Sequence, residues 1–304
     1  MKRDTVLLFG AGASYDSEPN KDLTPPLGAY LFNELEKLGG AFSNLPADQK
    51  KHFESGDFES GMASIKNSNF SINPLQNELA IYLSGFLPSD QSAYTYILKN
   101  LPNPMKTTVC TLNYDLLIEE SLIECKIPFD YRPRKKAVPL LKIHGSSNFL
   151  PMLKETGLNI SNVTMENCAA FVEGIYTKAA ANQEEIIEWT LNESNSAVSP
   201  VMSMYNREKR VVVNRGIIES IQKNYRKHLS HARLIVISGV RFLQHDTHIW
   251  DAIRSAKGKV VIVDPFPEEA LKWLASEGKT NIEAISDGFF NSKKEIIKKI
   301  KYYN

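Results

Sequence analysis

Residues 5–14 read TVLLFGAGAS, a short apolar run that passes directly into a glycine-rich turn. A run of this length and composition is typical of a strand that is buried on both faces of a parallel sheet. Glycines after such a strand allow a tight turn and let the backbone come close to another group. The stretch therefore predicts a buried parallel strand with a functional turn at its carboxyl end.

Similar apolar runs follow along the chain, at residues 106–112, 140–143, 234–238 and 259–263, with a weaker one at 281–285. Most of them end in small or polar residues, and helix-like stretches separate several of them. This pattern predicts an α/β fold, a Rossmann-like doubly wound parallel sheet. Because ligands bind such sheets at the carboxyl ends of the strands, the residues just after each run are the candidates for function.

Two long segments between the predicted strands, at about 27–104 and 151–231, are predicted to be large, mainly helical insertions. The clearest helical spacing lies at 27–38, 75–87, 93–98, 183–191 and 215–229. A length of 304 residues suits one domain, 1–304, that carries such insertions. Residues 292–302 predict a terminal helix with Ile296, Ile297 and Ile300 on the core, and the alternative is a membrane-surface or partner helix.

Composition excludes several classes of protein. The net charge of +1 gives no electrostatic case for binding nucleic acid or a membrane. The three cysteines are scattered and form no C-x-x-C pair, which argues against disulfides and a structural zinc site and favours the reducing cytoplasm. No apolar run reaches the length of a membrane span. His245 and His248 lie three apart, but a loop leading into a helix is favoured over a metal site, so we expect no metal.

The turn after the first strand is the first candidate site, and it comprises Gly10, Ala11, Gly12, Ala13 and Ser14. Its backbone amides and the helix that follows would bind a phosphate group. The ordinary dinucleotide fingerprint G-x-G-x-x-G is not met, because Tyr15 occupies its last position. A tight turn without a ligand is the alternative.

Polar side chains follow the next two strands. Asn113 and Asp115 belong to the stretch TLNYD at 111–115 and can aim an amide and a carboxylate into one crevice. Their alternative role is to bond the loop backbone as a strand cap. His144, in the stretch KIHGS at 142–146, is placed to act as a general base, with a structural histidine as the alternative.

Two later strand ends complete the candidate set. Ser238 and Gly239 form a small turn that can admit an adenosine phosphate or ribose, and Asp264 can hold ribose hydroxyls. A turn with no ligand is the alternative at each.

The order of these five motifs resembles the sirtuin family. Sirtuins carry a GAGxS phosphate loop, a T-x-N-x-D motif at the nicotinamide site and a catalytic histidine in an HG dipeptide, followed by two strand ends that hold adenosine. The spacing is similar as well, with about 100 residues between the first two motifs and about 30 to the third. The resemblance implies that NAD is the substrate, with Asn113 and His144 as catalytic residues and the other candidates as binding residues.

Two departures limit the resemblance. Protein-deacetylating sirtuins have a four-cysteine zinc module after the HG dipeptide, whereas residues 151–231 contain only Cys168. The G-x-P-x-F-R segment of those enzymes is also missing, because residues 24–28 read TPPLG. These parts help to build the acyl-lysine site, so deacetylation is not expected.

The pattern is instead similar to the sirtuin-like (Sir2-type) NADase domains of bacterial anti-phage defence systems. This resemblance implies an NAD⁺ glycohydrolase that depletes NAD in abortive infection. It also implies a homo-oligomer controlled by a partner, such as an ATPase or helicase or a phage-derived activator. The alternatives are a non-enzymatic NAD or ADP-ribose sensor subunit and a zinc-less protein deacylase.

Overall fold

The computed structural model describes residues 4–65, 72–153, 163–166, 169–203, 211–244 and 246–303. Cys168 and His245 lie outside these residues. The strands are β1 Thr5–Phe9, β2 Thr107–Thr111, β3 Phe129–Asp130, β4 Val138–Lys142, β5 Phe149–Pro151, β6 Val163–Glu166, β7 Ala169–Val172, β8 Thr177–Ala179, β9 Val211–Val213, β10 Leu234–Ser238, β11 Lys259–Val263 and β12 Ile282–Ile285. The α-helices are α1 Ala11–Tyr15, α2 Gly28–Lys37, α3 Ala47–Lys50, α4 Phe58–Ser64, α5 Asn73–Ser84, α6 Ala93–Lys99, α7 Leu117–Glu124, α8 Gln183–Leu191, α9 Arg215–His231, α10 Thr247–Ser255, α11 Glu268–Ser276 and α12 Phe289–Tyr303.

The centre of the fold is a seven-stranded sheet in the order β12-β11-β10-β1-β2-β4-β3, in which all neighbours run parallel. The predicted Rossmann-like doubly wound α/β fold is therefore confirmed. The chain moves from β1 outward through β2 to β4 on one side, and later builds β10, β11 and β12 on the other side. This reversal makes the carboxyl end of β1 the switch point, where such folds open a crevice.

The strands are apolar on both faces because helices cover both faces. Val6 and Leu8 face a core formed with α9, α10 and α11. Leu7 and Phe9 face the opposite core, formed with α6, α7 and α12. The second core includes the buried Ile296, Ile297 and Ile300, which confirms the core-facing prediction for the terminal helix.

The segment of the first predicted insertion contains α2 to α6 together with short 3-10 turns. It has an apolar cluster of its own, in which the ring of Phe32 stacks on that of Phe53 with centroids 4.3 Å apart.

The second insertion departs from the largely helical prediction. Its helices α8 and α9 are present, but β5 pairs with β8, and β6, β7 and β9 form a further small sheet. These strands have three or four residues each, too few for a period-two pattern to stand out.

None of the helices within the described ranges combines the length and apolar character needed to cross a membrane.

Candidate functional site

The candidate residues leave the sheet from a single transverse row. Across the sheet, Lys142 pairs with Thr111, Thr111 with Phe9, Phe9 with Ser238, and Ser238 with Val263. Because the strands are parallel and in this register, their carboxyl ends lie side by side at one edge.

Each strand of the row is followed within two residues by a predicted site residue, namely His144, Asn113, Gly10, Gly239 and Asp264. The β1 turn stands in the middle of this set, at the switch point of the sheet. The fold therefore gathers motifs that are up to 254 positions apart in the chain (Gly10 to Asp264) along one edge.

The turns after β1 and β10 interlock through their glycines. The amide of Gly12 donates to the carbonyl of Gly239 at 3.0 Å, and Gly239 has a φ of +61°. A Cβ atom added to Gly239 would lie 2.0 Å from the nitrogen of Ala13, and one added to Gly10 would lie 2.4 Å from the oxygen of Gly239. The glycines are required by this backbone contact, and the Gly12 amide is used inside the fold, whereas Ala11 is exposed.

Asn113 ties the β2 end to the glycine turn. Its amide nitrogen donates to the carbonyl of Gly10 at 2.9 Å and to the hydroxyl of Ser14 at 2.8 Å. The hydroxyl of Ser14 also lies 3.0 Å from that of Tyr94, which comes from α6 in the first insertion. Asn113, Ser14 and Tyr94 are all buried, so this network fixes the turn from two directions.

Asp115 is buried and lies two residues before the start of α7. Its carboxylate accepts a hydrogen bond from the amide of Leu117 at 3.2 Å, and its backbone carbonyl accepts one from the Lys142 ammonium at 2.5 Å. Burial raises the pKa of the Asp115 carboxyl, while the Lys142 charge acts in the opposite direction. The contacts made by Asn113 and Asp115 thus include the backbone-bonding role that the sequence left open for this motif.

Sequence reasoning missed Lys142 as a residue of the site, although it stands two residues before His144. Its ammonium lies 3.1 Å from the Glu119 carboxylate of α7, and both side chains are almost fully buried. The Glu119 carboxylate also accepts a hydrogen bond from the hydroxyl of Tyr131 at 3.1 Å. This buried ion pair joins β4 to α7 directly below the site. The signal in the sequence was the lysine at the end of the otherwise apolar strand β4, which indicates a buried charge.

The turn that carries His144 is held by the second insertion. Gly145 has a φ of +85° and bridges to Met202, and a Cβ atom added to it would lie 2.1 Å from the oxygen of Val201. The amide of Ser203 donates to the carbonyl of His144 at 2.6 Å. Glycine is therefore needed at position 145, and the backbone of His144 is held by the hydrogen bond from Ser203.

The His144 side chain is buried and meets a second histidine. Its Nε2 lies 2.9 Å from Nε2 of His248, which belongs to the first turn of α10. Burial, with a further contribution from His248, lowers the pKa of His144 to about 3. His144 is therefore neutral near pH 7, as a general base must be. Sequence reasoning placed His248 in a loop-to-helix segment and missed its contact with His144.

The remaining candidates lie on the β10 and β11 side. Ser238 is fully buried, and its hydroxyl has no hydrogen-bond partner among the described residues. The Asp264 carboxylate is partly exposed and accepts a hydrogen bond from the amide of Phe266 at 2.9 Å. Within the described ranges, no group of three or more His, Cys, Asp or Glu side chains is arranged to hold a metal ion.

Comparison with known proteins finds similarity in structure. Neither a protein-family model nor a curated protein sequence matches the chain. A Sir2 enzyme, solved in a study of mechanism and regulation, has a TM-score of 0.46 and 14% identity, over 99% of this chain and 93% of that chain. A Sir2 homologue in complex with NAD has a TM-score of 0.48 and 13% identity, over 98% and 89%. A mutant Sir2 homologue with ADP-ribose has a TM-score of 0.47 and 12% identity, over 98% and 92%.

Proposed function

We propose that this protein is an NAD⁺ glycohydrolase, which releases nicotinamide and leaves ADP-ribose or a cyclic form of it. The observation that carries the proposal is the alignment of the glycine turn, Asn113 and His144 on the adjacent ends of β1, β2 and β4. The order of the motifs along the chain supports it from the sequence side.

In this proposal the NAD⁺ diphosphate binds at the turn of residues 10–14, at the switch point of the sheet. The adenosine half extends toward Ser238, Gly239 and Asp264, and the nicotinamide ribose extends toward Asn113, with Asp115 nearby. Both hydrogens of the Asn113 amide bond within the fold, so its carbonyl oxygen is the atom that it offers to the substrate.

The chemistry needs little from the protein beyond orientation. The nicotinamide of NAD⁺ is already cationic, so it departs as a neutral base without a general acid, and an oxocarbenium-like ribose remains. His144 orients the attacking water and accepts its proton while the water oxygen bonds to the anomeric carbon. If a substrate nucleophile replaces water, the product is cyclic. Oriented binding and electrostatics supply most of the rate.

The test is nicotinamide release by the purified protein, beside Asn113→Ala, His144→Ala and the control His52→Ala, in which the altered histidine is exposed. We expect release by the wild type and the control, and a fall of roughly 10²- to 10⁴-fold in His144→Ala. Equal rates in wild type and both site variants would contradict the proposed roles.

The same experiment separates the alternatives. A sensor subunit binds NAD⁺ or ADP-ribose in a titration but releases no nicotinamide, alone or with a partner. A zinc-less deacylase releases nicotinamide only when an acyl-lysine peptide is present.

The biological role we propose is NAD depletion in the bacterial cytoplasm during abortive anti-phage defence, by a homo-oligomer under the control of an ATPase, helicase or phage-derived activator. The likeness of the ordered motifs to those defence domains supports it. Expressing wild type and Asn113→Ala in bacteria under phage challenge tests it, and we expect NAD levels to fall only with wild type.

A further inference from the structure

His144, which follows β4, and His248, in the first turn of α10, contact each other through their side chains, and this contact indicates a role for His248. Their Nε2 atoms are 2.9 Å apart, and the rings are tilted by 39° with centroids at 5.2 Å. At this distance one nitrogen must donate an N–H and the other must offer a lone pair, because two N–H groups or two lone pairs would repel. The pair therefore shares a single proton between these atoms.

The surroundings keep both rings neutral. Burial, and to a smaller extent the electrostatic interaction with the neighbouring His248, lower the pKa of His144 to about 3. Burial also lowers the pKa of His248, and the cation of Arg226 acts in the same direction while the carboxylate of Asp246 opposes it. The N-terminal turn of α10 disfavours a cation as well. His248 is only partly buried, so it has more contact with water than His144.

The direction of this hydrogen bond decides whether His144 can act as a base. A neutral imidazole has one N–H and one lone pair. If His144 accepted the bond at Nε2, its only lone pair would be used, and nothing would remain to take a proton. If His144 donates its Nε2–H, Nδ1 keeps the lone pair.

We propose that His248 is the positioning residue of His144: it accepts the Nε2–H, fixes the ring and leaves Nδ1 as the nitrogen that takes the proton of the attacking water. The proposal rests on the proposed function for the role of His144. It gives His248 the task that a carboxylate has in a hydrolase triad, which is to hold the base in one tautomer.

The pair also provides a route for the proton. When Nδ1 of His144 takes a proton from water, its Nε2–H passes to Nε2 of His248. His144 is then neutral again, and His248 is an imidazolium stabilised by Asp246 at a partly exposed position. For the next turnover the Nε2 proton of His248 returns to Nε2 of His144 as the Nδ1 proton of His144 leaves to water, which restores the lone pair on Nδ1. No charge remains on the more deeply buried ring, where desolvation disfavours it most.

Two variants and one control test the proposal. His248→Gln keeps an acceptor oxygen but cannot carry the proton, and His248→Ala removes the partner. Thr247→Ala alters an exposed neighbour in the same turn of α10. The tautomer of His144 is read from long-range proton–nitrogen NMR correlations, which need no turnover. Nicotinamide release then gives kcat, KM and their pH profiles.

In wild type and Thr247→Ala we expect His144 in the Nε2–H form. In His248→Ala this preference is lost, and in both His248 variants kcat falls roughly 10- to 100-fold, below the full contribution of a general base, with KM changed less than about twofold. An Nδ1–H tautomer in wild type overturns the proposal, as do unchanged kcat and pH profile in both variants. If the wild type releases no nicotinamide, alone or with a partner, the proposed function fails, and the NMR result alone then supports or overturns the positioning role.

Discussion

Replacing Gly239 by alanine tests the interlocked turns at the centre of the site. Gly239 has a φ of +61°, and its new Cβ would lie 2.0 Å from Ala13 N and 2.4 Å from Gly12 C. These neighbours are backbone atoms, so they cannot rotate away as a side chain would. The left-handed conformation costs about 1 kcal/mol in an alanine, and overpacking against backbone adds about 2 kcal/mol or more. We expect a loss of about 3 kcal/mol in the free energy of unfolding.

Gly39→Ala is the matched control, because Gly39 has a φ of +74° and its Cβ would meet nothing within 4 Å. It should cost only about 1 kcal/mol. Gly10→Ala tests the steric clash with the Gly239 oxygen without any backbone strain, because the φ of −113° at Gly10 suits alanine. Urea unfolding followed by circular dichroism measures all three. Equal losses in Gly239→Ala and Gly39→Ala would show that the two turns do not interlock.

Three further outcomes follow from buried polar groups. Lys142→Met leaves Glu119 charged without its cation and should cost about 3–5 kcal/mol of stability, and adding Glu119→Gln should restore most of it in urea unfolding. Tyr94→Phe removes the hydroxyl that contacts Ser14 and should cost about 1 kcal/mol; an unchanged midpoint contradicts this. Because the pKa of His144 falls from 6.5 to about 3 on folding, its contribution to stability is complete above about pH 6.5 and is lost toward pH 3, by up to about 1.4 kcal/mol per pH unit. His144→Gln should flatten this dependence in urea titrations at pH 4 to 7.

The parallel sheet could be predicted because its strands are marked locally. A run such as Val260–Val263 has few other uses than a buried strand, and the turn after it is marked by Asp264 and Pro265. The edge strand β3 was missed because it has only two residues and partial burial. The small sheet of β5 and β8 was missed because its pairing joins short segments about 30 residues apart.

Candidate site residues could be predicted from the sequence only where they directly follow a predicted strand. Asn113 and His144 both stand beyond a strand, and the sequence indicated them for that reason. Their partners depend on the fold. Tyr94 reaches Ser14 across 80 positions and His248 reaches His144 across 104, distances over which no periodicity connects two residues.

Because the five strands end in a common row, the relative positions of the site residues depend on the register of the sheet. A slip of one residue in any strand would move its turn by about 3.3 Å along the strand direction, out of the common row, and exchange the side chains on its two faces. Since those faces pack against different helices, a slipped molecule would lose apolar packing and the alignment of the five turns together. The two apolar cores therefore fix the strand register as well as the stability of the fold. A chain that folds in this register has its motifs side by side.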